Sequence, residues 1–334
     1  MAPTTNAQVF FFQQLKNQIA PHLSIVDEVA DLLNISKDSA YRRIRGEKPI
    51  DLEEIQILCI HFNVSLDKIL NLKSDAFIFT GNLKDDSENS FENWLNNVHQ
   101  LLQWLNSFEN KHVYFLIKDI PPFLHFQIPE LAAFKFFFWM KSILYYESLK
   151  GVKFKIDDPR YKVYTVISNK IIELYNNLPI TEIWNIESIN SSLRQIEFYH
   201  DVGSFANIED VRLLYLKIEE LVNHLEKQAD LGVRFTIGQE PKNNSPEYRL
   251  FVNELILGDN TFLVEIDNVR TTFLNHSVLY FVATRDEKFN NAMSVNLDNL
   301  MRKSTLISKV CEKERIQFFN RLRHTIHVRL ANLK

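Results

Sequence analysis

The stretch NISKDSAYRRIRGEKPI, residues 34–50, gathers Lys37, Arg42, Arg43, Arg45 and Lys48 around only two acids, Asp38 and Glu47. Guanidinium groups at such density can fork onto phosphates or purine edges, and lysines add simpler contacts. Other chemistry-bearing residues are scattered. His324 and His327 have the i, i+3 spacing of a metal pair, but no acid or cysteine stands at ligand spacing. They lie among Arg315, Arg321, Arg323 and Arg329, which reads as a solvated helix face. His200-Asp201 is a lone pair in an expected loop. Asp119, just before Pro121-Pro122, reads as a turn-starting residue. The chain has no GxSxG, no Walker A or GxGxxG loop and no paired-carboxylate pattern, and it has only seven glycines. The expectation is therefore no enzyme, no cofactor and no metal.

The basic stretch needs a frame. An amphipathic segment spans 7–19 and should end before Pro21. Ser24 can cap a second helix, with Asp27 and Glu28 in its first turn and Val26, Val29, Ala30 and Leu33 as its apolar stripe. Asn34 closes it. Ser36 caps a third helix over 37–45, and Gly46 stands where a left-handed residue is expected. Asp51 caps a fourth helix carrying Ile55, Leu58, Cys59 and Phe62, which Asn63 stops; Ser65 caps a short fifth over 66–70.

This layout resembles the Cro/C1-type (Xre-like) helix-turn-helix family. The matching features are the small Ala30, the turn Leu33-Asn34-Ile35-Ser36, Gly46, and the tail LCIHFNVSLDKIL; they cover roughly the first 70 residues. The family often has an acid two positions before the glycine, where this chain has Ile44. The resemblance implies a recognition helix at 37–45. It puts Ser36, Lys37, Asp38, Ser39 and Arg42 near base edges, and Tyr41, Arg43, Arg45 and Lys48 near phosphates. Charge alone does not imply this. Residues 1–73 hold eight Lys/Arg against nine Asp/Glu, so the charge is polarised rather than abundant. The stretches DIPPFLHFQIPELAAFKFFFW and KSTLISKVCEKERIQFF also resemble uncharacterised helix-turn-helix proteins of Bacteroidetes-like bacteria, which supplies no function.

The whole chain has a formal charge of −4 and is 46% hydrophobic, which suits a globular protein whose nucleic-acid contacts are local. Two distant cysteines, no signal peptide and no long apolar span suggest a cytoplasmic protein without membrane contact. The expected organisation is a helix-turn-helix domain at 1–73, a linker at 74–90, a helical regulatory or dimerisation region at 91–230, and an α+β region at 231–334. The fold class is mainly α with an α+β C-terminal part. Helices are expected over 91–108, 129–149, 162–177, 208–230 and within 287–330. An extended piece is expected at 112–123, and a small β-meander over 231–285 with a hairpin at Gly258-Asp259-Asn260. The aromatic run around 134–146 reads as core or dimer interface; as a ligand pocket its candidates are Phe137, Trp139 and Tyr145.

These readings converge on a sequence-specific DNA-binding transcriptional regulator. It would be a homodimer on double-stranded DNA, with a small-molecule or protein effector. The alternative is a helix-turn-helix scaffold, or an antitoxin or defence-associated protein, acting mainly through protein partners.

Overall fold

A computed structural model describes residues 7–16, 24–62, 64–70, 77–81, 87, 89–255 and 258–333. The chain divides into two compact units, Met1–Ala76 and Phe77–Lys334.

The first unit contains α1 (Ala7–Lys16), α2 (Ile25–Leu32), α3 (Lys37–Ile44), α4 (Leu52–His61) and α5 (Leu66–Ile69). The expected caps form. Ser24 Oγ accepts from Asp27 N at 3.5 Å, and Ser36 Oγ accepts from Ser39 N at 3.2 Å. Asp51 and Glu54 make a reciprocal capping box on α4. Asn34 (φ 50°) and Gly46 (φ 75°) are left-handed, which lets the backbone reverse after α2 and α3. The core is small and apolar: Phe11, Phe12, Leu15, Val29, Ala30, Ala40 and Leu58 are buried. The expected end of the first helix near Ile19 and the stop at Asn63 lie outside the described residues.

The second unit is built on one mixed sheet of eight strands in the order β1-β7-β6-β5-β2-β3-β4-β8. The strands are β1 (Thr80–Gly81), β2 (Lys111–Leu116), β3 (Ile180–Trp184), β4 (Tyr248–Val252), β5 (Thr261–Ile266), β6 (Val269–Asn275), β7 (Phe281–Thr284) and β8 (Thr305–Leu306). β2, β3 and β4 run parallel, and every other pairing is antiparallel. Parallel neighbours require long crossovers. The first runs through α7 (Pro122–His125), α8 (Pro129–Phe138) and α9 (Lys162–Asn176), and the second through α10 (Asn190–Asp201) and α11 (Ile208–Leu231).

Side chains alternate between the two faces with the strand period. Val113, Phe115, Ile180, Trp184, Tyr248, Leu250 and Val264 enter the main core, which α6 (Ser90–Asn106), α8, α9 and α11 also line. α13 (Glu312–Ala331) seals this side through Phe319, Leu322 and Ile326. Leu116, Ile183, Phe251 and Leu263 point the other way, onto Leu297 of α12 (Glu287–Arg302).

Several expectations change here. The expected boundary at 230/231 does not exist, because β3 lies between β2 and β4 in one sheet. Part of the expected linker, Thr80–Gly81, is an edge strand paired with β7. Gly258-Asp259-Asn260 makes no hairpin, since β2 and β3 separate β4 from β5. The true hairpin joins β5 to β6 through Asp267 and Asn268, both at positive φ (47° and 69°), as a two-residue loop matching the strand twist requires. VRFTIG contributes only an isolated bridge from Val233 to Glu247. The helix expected over 129–149 ends at Phe138; Trp139–Ile143 widen into a π-type turn, and Tyr145 (φ 57°) reverses the chain.

β3 is buried at all five positions, yet it contains Glu182. Tyr175 and Tyr248 hydroxyls donate to this carboxylate at 3.1 and 2.8 Å, and Trp184 Nε1 donates at 2.9 Å. Arg234 Nη1 is 3.5 Å away, while Nη2 donates to Asn176 Oδ1 at 2.9 Å. The Arg234 guanidinium stacks over the Tyr175 ring at 4.4 Å. Burial, then the Glu182 charge, raises both tyrosine pKa values well above the ordinary phenol range. Removing one partner of a buried pair strands the other charge. Glu182→Leu and Arg234→Met should each cost about 3–5 kcal/mol in urea unfolding, and the double variant clearly less than their sum.

Candidate nucleic-acid interface and interior cavity

On α3, positions 38, 41, 42 and 45 fall at i, i+3, i+4 and i+7, so they share one face. Asp38, Tyr41, Arg42 and Arg45 are all exposed. Arg42 has no side-chain partner among the described residues, whereas its carbonyl accepts from Glu47 N at 2.8 Å and Lys48 N at 3.3 Å. Arg45 reaches Glu47 at 3.2 Å and lies 5.6 Å over the Tyr41 ring. Lys48 is exposed, and its carbonyl accepts from Gln8 Nε2 at 2.7 Å. Gln8 also donates to Arg43 O at 2.7 Å and accepts from Ile50 N at 3.1 Å, clipping the loop after α3 onto α1. Lys37 is exposed but bonds Asp27 at 2.6 Å; that hydrogen bond, then the Asp27 charge, raises its pKa.

Three expected contacts are diverted. Arg43, expected near phosphate, is buried. Its Nε and Nη2 fork onto Glu54 at 2.9 and 2.6 Å, and Nη1 donates to Ser39 Oγ at 2.6 Å. It ties α3 to the capped start of α4, and it takes Ser39 with it. Ser36 is exposed, but its hydroxyl is used as the α3 cap. Ile44 is half-buried and packs on the unit's core.

Elsewhere the expected candidates separate. His327 pairs with Glu219 at 2.8 Å, and His200 with its neighbour Asp201 at 3.5 Å. No group of three or more metal-binding side chains occurs among the described residues. The arginines around the histidine pair are less solvated than expected. Arg315 is buried against Asp230, and Arg323 bonds Glu226 at 2.7 Å. Phe137 is wholly buried against Phe154 and Tyr199, and Tyr145 is exposed; neither lines the main cavity of the second unit. Trp139 does.

That cavity lies in the second unit and has a volume of about 330 Å³. Trp94, Val98, Leu102 and Leu105 of α6 form one wall, and Val113, Phe115, Phe262 and Val264 of the sheet form another. Trp94 Nε1 donates to Leu279 O at 2.6 Å, which pins the 275–279 loop as part of the cavity lining. A polar arc crosses this apolar interior. Lys135 Nζ donates to Ser192 Oγ at 2.8 Å and Gln195 Oε1 at 2.7 Å. His125 Nε2 lies 2.9 Å from Ser192 Oγ. Asp119 also lines the cavity, and its backbone N–H and that of Lys118 donate to Asn260 Oδ1 at 3.1 and 2.8 Å. Lys118 in turn pairs with Asp259 at 2.6 Å, and both of these are exposed.

Burial dominates the protonation of the arc. It pushes the Lys135 pKa down to about 7, opposed by the Asp119 charge. It takes His125 well below the ordinary histidine value, with Lys135 acting the same way. It raises Asp119, against the lowering effect of Lys135 and Lys118. In the sequence Lys135 only interrupts the apolar run LAAFKFFFWM. A lone lysine flanked by LAAF and FFFWM on a core helix was the available signal.

Comparison with protein-family models, with curated proteins and with solved structures finds no match to the chain. No described helix is long and apolar enough to cross a membrane.

Two outcomes follow. Arg43→Ala should loosen the first unit by about 1.5–3 kcal/mol, and Arg43→Lys should not restore it because the fork is lost; hydrogen exchange across residues 24–62 reads both. In the chain without added ligand, the Lys135 ¹³Cε signal should titrate near pH 7. The unfolded chain binds more protons between that value and 10.5, so Lys135 makes stability rise with pH across this window. Lys135→Met should flatten the rise in urea unfolding.

Proposed function

We propose that the first unit is a Cro/C1-type helix-turn-helix module and that the protein is a sequence-specific DNA-binding transcriptional regulator. It acts as a cytoplasmic homodimer, with the second unit as sensor and dimerisation region. The observation that carries this reading is the exposed face of α3. It presents Tyr41, Arg42 and Arg45 together, while the buried arginine of this helix, Arg43, holds α3 against α4. Arg42 is the base reader of choice, being exposed and without a side-chain partner among the described residues. Lys37 can join it by exchanging Asp27 for a base or phosphate acceptor. Tyr41, Arg45 and Lys48 supply phosphate contacts that set register.

A second reading has its own support. Asp27 and Glu47 already occupy Lys37 and Arg45, which lowers the positive field of the face. A protein partner with matching acids would suit such a surface, as in a scaffold or antitoxin-like role.

Selection from random duplexes at moderate salt should return an enriched site. Arg42→Ala should weaken that site by about 1–3 kcal/mol and relax preference at one base pair. Lys48→Ala should weaken all sequences alike and reduce the salt slope by about one. Absence of any enriched sequence, with a stoichiometric protein partner whose binding needs Arg42, establishes the second reading instead.

A further inference from the structure

Lys135 is the most buried lysine among the described residues, and it lines a cavity whose walls are otherwise chiefly apolar. Its two hydrogen-bond partners, Ser192 and Gln195, are neutral. An ammonium has three donors, so one remains without an acceptor among the described residues. No described carboxylate lies within ion-pair distance of it; Asp119 acts on it only from farther away. A buried amine left in this state is costly when charged and short of a counter-ion. Asp119 is only a partial counter-charge: burial opposes its charged form more strongly than Lys135 and then Lys118 favour it. What the cavity lacks is thus an acceptor for the third Lys135 donor, sited next to a long apolar wall.

We propose that this cavity binds a small apolar monocarboxylate, with its carboxylate on Lys135 and Ser192 and its hydrocarbon tail along Trp94, Val98, Leu102 and Phe262. The volume of about 330 Å³ lies at the lower end of the roughly 300–1,000 Å³ typical of ligand pockets, which suits a medium-chain acid better than a bulky lipid. The pinned 275–279 loop lines the cavity, and the exposed Lys118–Asp259 pair marks its mouth. Ser192 can turn its hydroxyl to the ligand because His125 Nε2 can serve as either donor or acceptor to it. As an effector site the cavity rests on the regulator reading above; as a binding site it does not, and the assay below contains no DNA.

The test is titration of the full chain with decanoate, below its micelle concentration, by calorimetry and tryptophan fluorescence. Decan-1-ol and decylammonium serve as the neutral and cationic head-group comparisons. Decanoate should bind once per chain, and decanol at least about tenfold more weakly, the range of one charge-assisted hydrogen bond. Lys135→Met should bring decanoate down to the level of decanol and leave decanol unchanged. Should that variant fail to fold, the unaltered chain still decides. Decanoate binding at pH 8 should take up a proton, seen in buffers of different ionisation heat, because the carboxylate recharges a lysine that is largely neutral there; decanol should take up none. Decanol or decylammonium binding as tightly as decanoate, the absence of proton uptake, or the absence of saturable binding would overturn the proposal.

Discussion

The second unit depends on a carboxylate held in the middle of its sheet. Glu182 sits on β3, the strand with parallel neighbours on both sides, at a position with no access to water. An isolated buried charge at such a place would unfold the sheet. It is tolerated because β3, β4, α9 and the segment after α11 each send a group to it: Trp184, Tyr248, Tyr175 and Arg234. The cluster works as a register lock. The strand cannot slip by one residue without moving Glu182 to the opposite face, where Ile183 now packs on Leu297. A polar cluster of this kind can add specificity while contributing little net stability.

The same cluster reaches the cavity. Tyr175 turns its hydroxyl to Glu182 and also lines the cavity. α9 is thus anchored at the sheet while the space between α6, α8 and the strands stays partly unfilled. α8 passes through the aromatic core with Phe134, Phe136 and Phe137 buried in it, and on this mostly apolar helix Lys135 turns to Ser192 and Gln195 of α10. Dense aromatic packing and a polar arc therefore share one helix. The first packs α8 tightly, and the second holds its buried amine in one place.

In the first unit the organising interaction is the Arg43–Glu54 fork. It joins the third helix to the start of the fourth, so the exposed face of α3 is carried on a braced element. Arg43 and Arg42 are adjacent in sequence and opposite in role because a helix turns about 100° per residue. Buried Arg43 and exposed Arg42 show how little an arginine count says about the charge presented to a partner.

Local signals were legible in the sequence. The caps at Ser24, Ser36 and Asp51, the left-handed residues at Asn34 and Gly46, and the long amphipathic helices all follow from side chains acting within a few residues of their own backbone. The Asp267-Asn268 turn carries the same kind of signal, since Asp and Asn tolerate positive φ. Strand β3 was not legible, because five residues with a central glutamate have no distinguishing period. The cavity was illegible for a related reason: Asp119, Lys135, Ser192 and Phe262 come from four separate elements. The sequence by itself determined where α2, α3 and α4 start, since capping and φ preferences are local. Only the tertiary structure decided which arginine is buried, which strands are neighbours and where a lysine faces an apolar space, since those depend on contacts between residues far apart in the chain.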